Sequence, residues 1–123
     1  MAKALKVLVV DDSRSSRLLT RTYLQRLRED VVIVEAPDGD GALEQLAEQT
    51  VDAAILDMNM PGMTGLELSE VIAQRFPQIW MALLTANVQD AVQERARKQG
   101  VHFFRKPITE KVITQILEAY TFS

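Results

Sequence analysis

The sequence predicts an α/β sandwich of three layers, a parallel sheet between two layers of helices. Three observations carry that expectation. Short apolar runs rich in branched side chains recur along the chain, stretches with helical spacing lie between and after them, and the two kinds alternate strictly. Runs that are apolar on both faces suit a sheet covered on both sides, and parallel neighbours require right-handed crossovers, so the sheet should be doubly wound.

In chain order the expected strands are Leu5 to Val10, Val31 to Val34, Ala53 to Leu56, Trp80 to Leu84 and Val101 to Phe104. Each is strand-sized and bounded by polar or turn-forming residues. The first helix should pack on the sheet through Leu19, Tyr23, Leu24 and Leu27, and the last through Val112, Ile113, Ile116, Leu117 and Tyr120. Thr64, with Glu67 three residues on, has the pattern of a capping box. Asn87 and Thr109 are expected N-caps, and Gly100 suits the residue just past a helix end. The fourth helix, expected over Val88 to Gln99, has few apolar positions, Val88, Ala91, Val92 and Ala96, so its packing should be the loosest.

Composition bounds the function. A chain of 123 residues, 47% hydrophobic and 25% charged, without repeats or low-complexity tracts, is expected to form one ordered domain over residues 1–123. A formal charge of −3 gives no bulk attraction to nucleic acid or to an anionic membrane. Without cysteine there are no disulfides and no thiolate metal sites, which suits a reducing cytoplasm. The apolar run at Leu5 to Val10 is far shorter than a signal or membrane-spanning segment, so cytoplasmic residence without membrane insertion is expected.

In a sheet of this kind ligands sit outside the carboxyl ends of the strands, near the point where strand order reverses. The first strand ends in Asp11-Asp12, the third in Asp57, the fourth in Thr85, and the fifth in Lys106-Pro107. Taken singly each has an ordinary reading: Asp12 or Ser13 as an N-cap, Asp57 as the start of the Asn59-Met60-Pro61-Gly62 turn, Thr85 as a turn hydroxyl, Lys106 as a surface cation. Together they put three carboxylates, a hydroxyl and an ammonium on one rim. Like-charge repulsion makes that arrangement costly unless a charged ligand is bound there. Mg²⁺ is commonly held by one or two carboxylates, water and phosphate oxygens, which fits Asp11, Asp12 and Asp57. Asp57 would then be the nucleophile toward a phosphoryl group, with Lys106 and the Thr85 hydroxyl as donors to its oxygens.

These motifs, Val9-Val10-Asp11-Asp12, the segment Leu56-Asp57-Met58-Asn59-Met60-Pro61-Gly62-Met63-Thr64-Gly65, Leu84-Thr85-Ala86 and Lys106-Pro107, resemble a response-regulator receiver domain of the CheY kind over essentially the whole length. The resemblance implies a flavodoxin-like sheet of order 2-1-3-4-5 with five helices. It implies that Asp57 accepts phosphate from a histidine kinase or phosphotransfer protein, that Asp12 binds Mg²⁺ directly, Asp11 largely through water, and Asn59 through its backbone carbonyl. Lys106 should pair with the phosphoryl group, and its bond to Pro107 should be cis. Such a domain assists its own phosphotransfer and dephosphorylation but is a switch, not a conventional enzyme.

By the same resemblance Thr85 and Phe103 form the switch pair, although ordinary core packing is an equal reading of Phe103. Phe replaces the Tyr of many chemotaxis members, so no hydroxyl is available there for a partner. Asn59 and Asn87 hold the positions that tune hydrolysis of the acyl phosphate. Output is expected through the face of helix 4, strand 5 and helix 5, with a phosphatase as a further partner and a stand-alone chemotaxis-type regulator as one form the protein takes. Arg14, Arg17 and Arg21 read as a solvated stripe near the rim, with phosphotransfer docking as the rival reading, and His102 has no companion with metal-ligand spacing. A flavin-mononucleotide protein of similar architecture is disfavoured because Asp11-Asp12 repels phosphate. A haloacid-dehalogenase-like phosphatase is disfavoured because its nucleophile follows the first strand, not the third. A degenerate receiver acting only as a binding module is disfavoured by the intact acidic set.

Overall fold

Strand and helix alternate throughout the computed structural model, which describes residues 4–86 and 89–123. The elements are β1 (Leu5–Val10), α1 (Arg14–Leu27), β2 (Val31–Ala36), α2 (Gly39–Glu48), β3 (Ala53–Asp57), α3 (Gly65–Arg75), β4 (Trp80–Thr85), α4 (Asp90–Lys98), β5 (His102–Arg105) and α5 (Glu110–Thr121). The sheet runs β2-β1-β3-β4-β5 and every neighbouring pair is parallel. Order reverses at β1, where the chain leaves for β2 on one side and returns to β3 on the other. That is the crevice the site uses.

Period-two alternation divides the core between the two faces. Along β1, Leu8 and Val10 join Ala42 and Leu46 of α2, Leu66, Leu68 and Ile72 of α3 and Ala96 of α4. Val7 and Val9 join Leu24 of α1 and Ile113 and Ile116 of α5 on the opposite face. The face expected of α5 packs as a whole, and so do Tyr23, Leu24 and Leu27 of α1. Leu19, expected in that face, is instead exposed, as is its neighbour Leu18. The buried line of α1 runs through Thr20 and Leu24, and Leu19 lies about 100° of helix rotation from Thr20, on the side away from the core.

Four strand ends, those of β2, β3, β4 and β5, lie further along than the apolar runs suggest. Glu35 of β2 pairs with Val9, Asp57 of β3 with Leu84, and Thr85 of β4 with Arg105. The ladder uses backbone groups, so it continues past the last apolar side chain. The strand expected from Val101 starts one residue later, because the Val101 N–H bonds the Ala96 carbonyl and closes α4. Gly100 at φ 72° and its bond to the Arg97 carbonyl complete that helix end. α4 itself starts at Asp90 with Gln89 at the cap position. Val88 and the expected cap Asn87 lie outside the described residues. Ala91 is exposed, Val92 is half-buried, and Ala96 is the only fully buried residue of the helix. Among the described residues no helix is long and apolar enough to cross a membrane.

Candidate functional site

Beyond the ladder the carboxyl end of β1 is fastened to that of β2, and those of β3 and β5 are fastened to that of β4. The Asp11 N–H donates to the Ala36 carbonyl at 3.2 Å, Met58 N–H to Leu84 at 2.9 Å, and Lys106 N–H to Thr85 at 3.0 Å. The side chains that leave these ends therefore start from a fixed rim. Asp11, Asp12 and Asp57 each bring an oxygen within 4.8 Å of the others. Asp11 and Asp57 are buried, Asp12 is exposed, and Thr85 is buried at the end of β4. Lys106 Nζ stands 2.6 Å from Asp57 Oδ1, but out of hydrogen-bond alignment. The contact is an ion pair, and this buried oxygen accepts no hydrogen bond.

Burial holds the Asp11 carboxyl above the usual carboxylate range, and the Asp57 and Asp12 charges push the same way. The Ser13 N–H, donating to Asp11 Oδ1 at 2.9 Å, and the Lys106 ammonium oppose that shift. A rim this acidic, with one buried oxygen short of a donor, has the chemistry of a site for a hard cation. The three carboxylates supply ligands of the right kind, and the open side at Asp12 leaves room for water and substrate oxygens.

The loop after β3 is held from below by α3. Thr64 and Glu67 form a reciprocal capping box, Glu67 N–H to Thr64 Oγ1 at 3.1 Å and Thr64 N–H to Glu67 Oε1 at 3.0 Å. The Gly65 N–H donates to the Met58 carbonyl at 3.0 Å. A Cβ on Gly65 would sit 2.2 Å from the Asp57 carbonyl oxygen, so only glycine allows the helix to approach this closely. The motif containing Gly65 is visible in the sequence, but its steric role needs the helix-to-strand distance.

Other expected residues are placed unevenly. The Lys106-Pro107 bond is cis. Asn59 is exposed beside the rim, and Asn87 lies outside the described residues. Phe103 is half-buried against the α2-α3-α4 face and borders a cleft of about 380 Å³ with Asp90, Gln93, Glu94, Arg97 and Val101. Phe104 points to the opposite face. His102 stacks on Trp80 with ring centroids 4.7 Å apart, an aromatic contact within the sheet. The arginine stripe is not a uniform solvated face: Arg17 and Arg21 turn onto Glu35 of β2, and Arg17 is mostly buried.

Comparison with known proteins agrees with this geometry. The family model of the response regulator receiver domain matches residues 7–118. Sensor protein EvgS of Escherichia coli (strain K12) is 34% identical over 114 residues, 92% of this chain and 9% of that protein. A protein-glutamate methylesterase/protein-glutamine glutaminase of Pyrococcus horikoshii is 32% identical across 97% of this chain and 36% of its own length. The chain thus spans well under half of either relative. Among solved structures, the signal receiver domain of the putative response regulator NarL from Mycobacterium tuberculosis superposes with a TM-score of 0.86 at 29% identity, covering 99% of this chain and 100% of that one. Chemotaxis response regulator CheY4 of Vibrio cholerae gives 0.85 at 26% identity, covering 96% and 99%. With the fold, the acidic rim and the family model in agreement, the chain belongs to the response regulator receiver domain family, the phosphorylation switches of two-component signalling.

Proposed function

We propose that residues 1–123 form one cytoplasmic receiver domain in which Asp57 accepts a phosphoryl group in a Mg²⁺-dependent reaction. The donor is a sensor histidine kinase or a phosphotransfer protein. One observation carries this reading: Asp57 is buried at the end of β3 with Lys106 Nζ 2.6 Å away and two further carboxylates within 4.8 Å. An Asp57 oxygen attacks the phosphorus of a phosphohistidine, the P–N bond breaks, and its electron pair stays on the imidazole. Lys106 moves its charge from the carboxylate to the transferred phosphoryl oxygens, and the Thr85 hydroxyl donates to another. Asp11, Asp12, Asp57 and the Asn59 carbonyl are the groups that would hold Mg²⁺, whose charge offsets repulsion between the carboxylate and the incoming oxygens.

Water attacking the same phosphorus restores Asp57, and Asn59 and Asn87 tune its access; neither is a base, so self-dephosphorylation runs at intermediate speed. Thr85 and Phe103 relay the charge change to the α4-β5-α5 face, where the cleft beside Phe103 offers a partner a half-apolar floor. The partner is a protein of a signalling pathway, of the chemotaxis type if the domain works alone, and a phosphatase resets it. Intact mass with Mg²⁺ and a small acyl-phosphate donor tests the reading. One added phosphoryl group in the wild type and none in Asp57→Asn is expected, and equal labelling of that mutant overturns it.

A further inference from the structure

Among the described residues, Arg17 is the one cation of α1 that reaches the backbone of the acidic loop. Its Nη1 donates to the Asp11 carbonyl at 2.6 Å, and its Nε donates to Glu35 Oε1 at 3.2 Å. Glu35 Oε2 is taken by Arg21 Nη1 at 2.6 Å, so the carboxylate is held from two turns of the helix. Only 16% of the Arg17 side chain is exposed. If Arg17 merely fastened α1 to β2, the bond to Glu35 would suffice. The second bond, to a carbonyl at the mouth of the site, is what needs a reason.

The Asp11 carbonyl and the Asp12 N–H belong to one planar peptide. Whatever fixes that carbonyl fixes the plane from which the exposed Asp12 carboxylate is projected. The Asp11 residue is then clamped at three points: its N–H by Ala36, its carboxylate by the Ser13 N–H, and its carbonyl by Arg17. The guanidinium suits this task because its fork is planar and permanently charged, so it spans a carbonyl and a carboxylate at fixed angles.

We propose that Arg17 is a positioning residue for the cation site: it orients the Asp11-Asp12 peptide, and Glu35 orients Arg17. This rests on the reading of Asp11 and Asp12 as cation ligands. Outer partners that orient metal ligands commonly change affinity by about 10- to 100-fold when removed. Arg17→Ala should therefore weaken Mg²⁺ binding about tenfold, as followed by amide NMR titration with MgCl₂, while Arg21→Ala, which spares the carbonyl bond, stays within about twofold. Glu35→Gln should fall between them, and it carries the test if Arg17→Ala does not fold.

A second readout needs no metal. In metal-free Arg17→Ala the Ser13 amide should exchange with solvent faster while those of Leu8 and Val10 are unchanged. Uniform acceleration along β1, or Mg²⁺ affinity equal to that of wild type, overturns the proposal and leaves Arg17 as a fastener of α1. If the wild type itself binds no Mg²⁺, the functional reading falls, and this inference with it. If the wild type binds and the Arg17 variant binds equally well, the inference alone falls.

Discussion

Two helices follow the strands that carry Asp57 and Thr85, and they are built to opposite standards. α3 buries Leu66, Leu68, Ser69 and Ile72, opens with a reciprocal capping box, and seats Gly65 against the backbone of Asp57. α4 buries only Ala96, and Gln89 provides no side-chain cap. What favours α4 is charge: Asp90 in its first turn and Arg95, Arg97 and Lys98 in its last complement the helix dipole, a surface effect of a few tenths of a kcal/mol per group. The rim around Asp57 therefore has a fixed wall and a loose one. A charge added at Asp57 meets its cheapest structural response on the side of β4 and α4.

The two helix cores should differ most in what a truncation costs. Ile72→Ala removes a fully buried side chain and should cost about 2–5 kcal/mol, whereas Val92→Ala, half-buried on α4, should cost about 1 kcal/mol or less. Urea unfolding of both variants checks this. Equal losses would mean that α4 is as firmly built as α3.

Two glycines, one on each wall, should also respond differently to a methyl group. Gly65→Ala forces a Cβ into the Asp57 carbonyl and should cost about 1–3 kcal/mol and slow phosphorylation more than tenfold, because α3 or the acceptor has to move. Gly100→Ala meets open space but takes a side chain to φ 72°, at about 1–2 kcal/mol, and should leave the phosphorylation rate unchanged. Melts and phosphorylation rates of the pair separate stability from acceptor geometry. A Gly100 variant that also slowed the reaction would join α4 to the fixed wall.

The smallest effect is the pH dependence of the α3 cap. The Thr64 backbone N–H holds the Glu67 carboxylate below its ordinary range. Because the folded value is the lower one, the stability it contributes is present above the ordinary glutamate value and lost as pH falls through the lowered one. Glu67→Gln, which removes the titrating carboxylate, should flatten acid melting curves across that interval, and Thr64→Ala, which removes the cap hydroxyl, should lower stability by about 1 kcal/mol at neutral pH. An unchanged acid limb would mean that the box is not formed in solution.

The members of the rim were legible in the sequence because polar residues break the apolar runs at the strand ends. Asp11, Asp57 and Thr85 break them directly, Asp12 and Lys106 follow one residue after the break, and the parallel alternation brings these strand ends to one rim. What supports them was not legible. Glu35 and Arg17 are 18 residues apart on different elements, and only the placement of β2 beside β1 joins them. In a single sequence Glu35 is a polar residue in a strand and Arg17 one of three arginines on a helix. The strand ends slid for a related reason: the ladder runs through Glu35, Asp57 and Thr85 on backbone bonds that carry no trace in side-chain polarity.

Asp57 is the residue on which phosphorylation depends, and the direct measurement is to find where the phosphoryl group sits. After treatment with Mg²⁺ and a small acyl-phosphate donor, borohydride reduction converts an acyl phosphate to an alcohol, which leaves homoserine in place of the modified aspartate. Peptide mass mapping should find that change at Asp57 and nowhere else. Homoserine at Asp11 or Asp12, or an unreduced adduct on another side chain with Asp57 intact, would contradict the assignment of Asp57 as the acceptor.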